Sequence, residues 1–287
     1  MNVPQTLPNL PPVIPDLTEG WPRVVQRWRW WIHLVLIGGY PLVLGLVGWI
    51  WRDDGGPALT NGTKGLLIAC GKELFVFGIL FGLGWLASRA SRDDLLWRWR
   101  PRFWAVPLGI GYSVALRLLL GVMVLMIGII LVVTHVVTPQ GIQKFFLDNR
   151  PDVEAIVDIS AMRQNPVYYW LTVTLVSFVV AGFREELWRA GVLAGLRTLW
   201  PRVFGSRFGR FGAVGIAALV FGLGHLPQGL LAVCLTALIG FGLGVIMILH
   251  RSIWPAVIAH GMFDATSLAF LPWVMKMLPE IQRSLGH

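Results

Sequence analysis

The stretch Leu171-Thr-Val-Thr-Leu-Val-Ser-Phe-Val-Val-Ala-Gly-Phe-Arg-Glu-Glu-Leu-Trp-Arg-Ala-Gly191 runs an apolar segment straight into two adjacent acids, Glu185 and Glu186. Apolar runs of about 20 residues are long enough to cross a bilayer as helices, and such runs recur along the chain. Of the 287 residues, 55% are hydrophobic and only 14% charged, with a mean hydropathy of +0.66. That balance is far from a soluble domain and leaves no room for a large extramembrane unit. Seven spans are expected, at about 31–51, 66–87, 116–137, 167–186, 211–227, 230–249 and 253–273, which makes an all-α polytopic transmembrane bundle. Tryptophans cluster at the ends of these runs, among them Trp28, Trp30, Trp31, Trp97, Trp99 and Trp104, where interfacial aromatic belts form.

The organisation expected from this pattern is a disordered or interfacial arm over 1–30, transmembrane helices over 31–160 and a core over 161–287. The first residues, rich in Pro, lack the basic-then-apolar layout of a cleaved signal peptide. Basic residues alternate between loops. Arg23, Arg27 and Arg29 precede the first span; Arg89, Arg92, Arg98, Arg100 and Arg102 follow the second; Arg197, Arg202, Arg207 and Arg210 follow the fourth. The intervening loops carry Asp53 and Asp54, then Asp148, Asp152, Glu154 and Asp158. The positive-inside rule puts the N-terminus in the cytoplasm and the C-terminus outside. The net charge of +9 is then explained by juxtamembrane loops against anionic lipid, not by nucleic acid. Cys70 and Cys234 both lie in apolar runs without paired spacing and read as packing residues. A bacterial inner membrane is the expected location.

Ionisable side chains are costly in hydrocarbon and mark functional sites. Beyond Glu185 and Glu186, a histidine closes Phe221-Gly-Leu-Gly-His225, and His260-Gly-Met-Phe-Asp264 pairs an imidazole with a carboxylate. Residues four apart share a helix face, so Phe221 with His225, and His260 with Asp264, are expected to point into one cavity with the two glutamates. Interhelical hydrogen bonding alone explains any single one of these residues; three clusters on three spans favour a shared site. Arg189 lies four residues after Glu185 and three after Glu186, so it can hold one glutamate while the other stays free as a base. His33, His135, His250 and His287 are placed near span ends or the terminus and read as interfacial. Lys72, Glu73 and Arg117 read as structural, near the starts of spans. Gly222, Gly224, Gly240, Gly242 and Gly244 read as helix-packing residues.

The order of these motifs resembles the CAAX prenyl protease and bacteriocin-processing family of intramembrane endopeptidases. Its Glu-Glu motif with a downstream Arg-Gly, its FxxxH motif, and its HxxxN or HxxxD motif after Trp-Pro correspond to Glu185 to Gly191, Phe221 to His225, and Trp254-Pro to Asp264. The resemblance spans roughly 165–275 on the spacing of the motifs. Two departures stand out. Ala190 occupies the usual Arg position, with Arg189 one residue earlier, and Asp264 stands where many members carry Asn.

The resemblance implies peptide-bond hydrolysis without a metal or other cofactor. Glu185 and His225 would activate a water, His260 helped by Asp264 would stabilise the oxyanion, and Glu186 would hold the site together through Arg189. The substrate would be a membrane-associated peptide, prenylated or not. By residue type alone, Glu185, His225 and His260 also suit a zinc ion with an open position. Two other classes remain on sequence grounds: a catalytically silent membrane scaffold or chaperone of the same fold, and a proton-relaying transporter, which the lack of internal repeats disfavours. For Glu185 to meet His225 at depth, the fourth span must run on as one long helix from about 167 to 199, kinked or tilted near its glycines.

Overall fold

In a computed structural model the chain is described over residues 26–50, 62–154 and 156–284, and every regular element among them is helical. Besides two short 3-10 turns, Arg102–Trp104 and Leu226–Gln228, these are in chain order α1 (Arg27–Ile50), α2 (Gly62–Ser88), α3 (Ala105–Val133), α4 (Pro139–Asp148), α5 (Ile159–Gln164), α6 (Pro166–Leu171), a π-helical stretch (Thr172–Phe183), α7 (Arg184–Leu199), α8 (Pro201–Phe204), α9 (Arg207–Leu223), α10 (Leu230–His250) and α11 (Trp254–Ser284). Most of the expected N-terminal arm, the loop holding Asp53 and Asp54, and His287 lie outside the described residues.

Among the described residues, five helical segments are long and apolar enough to cross a membrane: Gly62–Ser88, Arg102–Val133, Pro166–Leu199, Leu230–His250 and Trp254–Met277. They mark the chain as an integral, multi-pass membrane protein. The other two expected spans coincide with α1 and α9. At 17 residues, α9 reaches roughly 25 Å, short of a hydrocarbon core of about 30 Å. Large apolar side chains lie open on the outer surface, as at Leu118, Leu119, Leu125 and Ile130 of α3, the pattern expected where lipid and not water is the solvent.

The long fourth segment runs unbroken from Pro166 to Leu199. It starts where the Asn165 side chain accepts hydrogen bonds from the backbone N–H groups of Val167 and Tyr168 while Pro166 occupies the first turn, a strong N-terminal signal. Within it, twelve residues, Thr172–Phe183, wind as π-helix. The Ser177 hydroxyl donates to the carbonyl five residues back, at Thr172 (3.2 Å). Wider turns of this kind are frequent at functional sites; here they end at Arg184, directly before the acid pair.

Against this stretch packs α11. A Cβ built on Gly182 would stand 2.9 Å from the carbonyl oxygen of Val257, and one on Gly261 would stand 2.3 Å from the Phe178 ring. Glycine at both positions lets the two helices approach nearly to backbone contact, which brings α7 and α11 side chains together one turn further on.

On its other side α7 is pinned by α1. The Trp188 indole N–H donates to the carbonyl of Ile37 (2.7 Å). His33, expected at an interface, is instead fully buried: its Nε2 donates to the carbonyl of Gly191 (2.9 Å) and its Nδ1 meets the Ser88 hydroxyl of α2 (2.9 Å). Burying an imidazole requires partners for both nitrogens, and three helices converge to supply them.

The corner between α10 and α11 turns through Arg251 in the left-handed region (φ 49°). It is fastened to the loop after α2, where the Ser252 hydroxyl donates to the carbonyl of Arg98 (2.8 Å) and the N–H of Ile253 to that of Leu96 (2.9 Å). Phe183 is held between Trp97 and Trp254, with ring centroids 5.8 and 5.9 Å away. The residue before Arg184 is thereby fixed between two rigid elements.

Candidate functional site

Arg184, Glu185, Glu186 and Arg189 occupy the first two turns of α7, in the middle of the long Pro166–Leu199 segment. His260 and Asp264 lie one turn apart on α11, roughly 9 and 15 Å beyond Trp254. The antiparallel contact at Gly182 and Gly261 sets the two groups face to face. His260 Nδ1 donates to Oε1 of Glu186 (2.9 Å), which turns Nε2 toward Oε2 of Glu185 (3.7 Å) and Oδ2 of Asp264 (3.6 Å). Both distances exceed a direct hydrogen bond. The three atoms surround a point that a shared water or a substrate oxygen can reach.

The two glutamates differ in surroundings. Glu186 and Arg189 form an ion pair in which both side chains are wholly inaccessible, whereas Glu185 is 16% and Asp264 31% exposed. The Arg189 guanidinium also lies over the Phe221 ring, 4.7 Å from its centroid, a cation–π contact that strengthens as water is removed. Gly240 and Gly244 of α10 make room for that guanidinium: a Cβ on Gly240 would meet Arg189 Nη2 at 3.2 Å and the Phe221 ring at 2.9 Å. These two glycines do more than bring helices together, since they line the slot of a buried cation. With Ala190 at the usual Arg position, Arg189 reaches Glu186 across three residues of helix, and the pairing is made from one position earlier.

The second arginine of the site was not singled out in the sequence. Arg184 is buried, and its Nη2 donates to Oε1 of Glu185 (2.8 Å). Its Nη1 pairs with Glu73 of α2 and donates to the Tyr40 hydroxyl of α1 (3.3 Å). Glu185 is therefore not a free carboxylate: one oxygen is tied to Arg184 and the other faces His260. Glu73 was expected near a span start. It lies eleven residues into α2, roughly 16 Å from its beginning, at the depth of the acid pair. The signal was present, because any ionisable residue inside an apolar run is suspect, but its partner sits more than a hundred residues away.

Arg117 is displaced from its expected place for a related reason. The third span was expected from about 116, but α3 begins at Ala105, so Arg117 stands well inside the helix and not at its start. Its guanidinium stacks 4.1 Å over the Phe263 ring and donates to the backbone and hydroxyls of α11, including the carbonyl of Phe263 and the hydroxyl of Thr266. That puts a third arginine beside Asp264. Arg184, Arg189, Arg117 and the His260 imidazole thus surround Glu73, Glu185, Glu186 and Asp264, a compact cluster of opposite charges inside an apolar bundle.

His225 joins less directly. α9 stops at Leu223 and His225 lies in the turn beyond it, so it is not on the helix face expected; Pro227 two residues on disfavours continuation. Its Nδ1 donates to the carbonyl of Phe221 (3.0 Å), and its ring stands 4.7 Å from the Phe221 ring, which in turn stands 6.2 Å from that of His260. A carbonyl can only accept, so the proton is on Nδ1 and Nε2 keeps a lone pair. His250, expected at an interface, hydrogen-bonds with the Tyr112 hydroxyl (2.8 Å) away from this cluster.

Among the described residues no group of three or more His, Cys, Asp or Glu side chains is arranged to hold a metal ion.

Residues 166–266, from α6 into α11, match the family model described as type II CAAX prenyl endopeptidase Rce1-like, and this segment is a domain of that family, as the order of the three motifs implied. No curated protein and no solved structure matches the chain.

Proposed function

We propose that the chain is an intramembrane endopeptidase in which Glu185 activates a water for attack on a peptide bond, with residues 161–287 as the protease core. The observation that carries this reading is the convergence of Glu185 Oε2, His260 Nε2 and Asp264 Oδ2 beside a second glutamate that is sealed and ion-paired. Two carboxylates in unlike environments divide naturally into a reacting group and a holding group.

In this mechanism a water sits against Glu185 Oε2 and gives its proton to that oxygen as its own oxygen bonds to the scissile carbonyl carbon. The Nε2 lone pair of His225 orients the water. His260, held by Glu186 through Nδ1, acts as the imidazolium, whose second N–H, on Nε2, donates to the oxyanion, where a fixed donor is most effective in a dry site. Collapse of the tetrahedral intermediate breaks the C–N bond, and Glu185 returns the proton to the leaving amine. Asp264 borders the same point and adjusts how His260 and the oxyanion are hydrogen-bonded. The family match favours a membrane-associated, prenylated C-terminal peptide as substrate; its lipid would lie in the bilayer beside the site. No step needs a metal.

The test is cleavage of an internally quenched, farnesylated peptide by the purified protein in lipid vesicles. Glu185→Gln is expected to lower turnover by at least about 10²-fold, because an amide cannot take the water's proton. Unchanged turnover with Glu185→Gln would remove the enzymatic role of the site and leave the fold as a membrane scaffold.

A further inference from the structure

We propose that Glu73 of α2 is a positioning residue of this site: it holds Arg184 so that only one oxygen of Glu185 is engaged. The inference rests on the proteolytic reading above. The geometry behind it is a shared guanidinium. Nη2 of Arg184 donates to Oε1 of Glu185 at 2.8 Å, while Nη1 is paired with Glu73 and donates to the Tyr40 hydroxyl. The Tyr40 ring closes another side, 5.8 Å from the guanidinium carbon.

An arginine beside a single carboxylate prefers the two-pronged arrangement, with two parallel N–H bonds to both oxygens. In an apolar bundle that preference is strong, since the carboxylate is the only nearby compensation for the charge. Without Glu73, the Arg184 fork is free to close on both oxygens of Glu185. Oε2 would then turn away from His260, and the carboxylate that must receive a proton would be fully committed to a cation. Glu73 prevents this by taking one prong. Tyr40 cannot replace it, because a phenol contributes a hydrogen bond but no charge.

Two features set this role apart from simple helix glue. Glu73 sits at the depth of the reacting groups, where an unshared carboxylate is costly. It also belongs to α2, outside the matched segment 166–266, so the N-terminal helices reach the reacting carboxylate through one ion pair. That gives residues 31–160 a part in the reaction that the family motifs do not contain.

The experiment uses the full-length protein in vesicles with the farnesylated quenched peptide. Glu73→Gln is expected to lower kcat on the order of 10-fold to 100-fold, the size of effect that misplacing a reacting group produces, with KM little changed. Glu73→Asp should restore part of the loss. The decisive variant is Glu73→Gln combined with Arg184→Gln: removing the fork that closes on Glu185 should recover part of the kcat lost in Glu73→Gln alone. Thermal unfolding of each variant, followed alongside, separates lost folding from lost positioning. Wild-type kcat in Glu73→Gln, or a double variant at least as impaired as the product of the two single losses, would overturn the proposal. If Glu185→Gln in the same assay abolishes cleavage while Glu73→Gln does not slow it, only the role of Glu73 falls. If Glu185→Gln itself is fully active, the proteolytic reading falls, and this inference with it.

Discussion

Adjacent in sequence, Glu185 and Glu186 live in opposite surroundings, each with its own arginine. Glu186 faces inward to Arg189 and the Phe221 ring, in a pocket closed by Gly240 and Gly244, with no accessible surface on either partner. Glu185 faces the cleft between α7 and α11, shares Arg184 with Glu73 and keeps one oxygen toward His260. One residue of helix rotation, about 100°, separates a sealed ion pair from a partly exposed carboxylate. In the proposed mechanism this difference assigns the sealed side to building the site and the open side to reacting, with Glu186 orienting His260 from behind while Glu185 meets it from the front.

The largest effect is expected where the sealed side is broken. Arg189→Met leaves Glu186 buried without its cation, and breaking one partner of a buried pair costs about 3–5 kcal/mol. Loss of a cooperative unfolding transition, or a steep fall in its midpoint in detergent, is the expected result. A variant as stable as the wild type would mean that the pair is not buried as described.

An intermediate effect is expected at the edge of the open side. Asp264→Asn removes a charge next to His260 Nε2 but keeps a hydrogen-bonding group of the same shape, and an amide can donate to an oxyanion. Turnover within about 10-fold of wild type is expected, with stability unchanged. A larger loss would show that the carboxylate itself is needed, moving Asp264 from the border of the site into its chemistry.

The smallest effect is expected far from both sides. Asp158 caps α5, accepting from the N–H of Ala161 (2.9 Å) and the Ser160 hydroxyl (2.6 Å). These bonds hold its carboxyl below the usual carboxylate range. A group whose pKa is lowered by folding stabilises the fold above its unfolded value, near 3.9, and loses that contribution as pH falls through the folded value. Asp158→Ala should therefore cost about 1 kcal/mol at neutral pH, less below pH 4, and leave turnover alone. An unfolding series over pH checks the sign.

How much of this was readable beforehand divides along the same line. The apolar runs, the acid pair, the His260–Asp264 turn and the continuous helix across 166–199 could be read because each is local, settled by length, spacing and i,i+4 geometry. Arg189 with Glu186 was among the readable pairings for the same reason, whereas Phe221 and His225 were not on one helix face because α9 stops at Leu223. What could not be read is what depends on a neighbour from elsewhere in the chain. Glu73 looked like a residue near a span start, and Arg184 like one more charge beside a glutamate, yet they meet across 111 positions. Arg117 was misplaced because α3 starts eleven residues earlier than its hydropathy suggested. His33 looked interfacial and proves to be a buried clamp, since only the assembled α1, α2 and α7 supply its partners.

The central claim is that the two neighbouring glutamates have exchanged no roles: one holds and one reacts. The most direct measurement sets Glu185→Gln and Glu186→Gln side by side, reading turnover of the farnesylated peptide and the unfolding midpoint on the same preparations. The account predicts that Glu185→Gln keeps a near-native midpoint and loses at least about 10²-fold in turnover, whereas Glu186→Gln, which strands Arg189 and loosens His260, loses stability as well as activity. A stable Glu185→Gln that cleaves at the wild-type rate, with all catalytic loss falling on a fully stable Glu186→Gln, would contradict it.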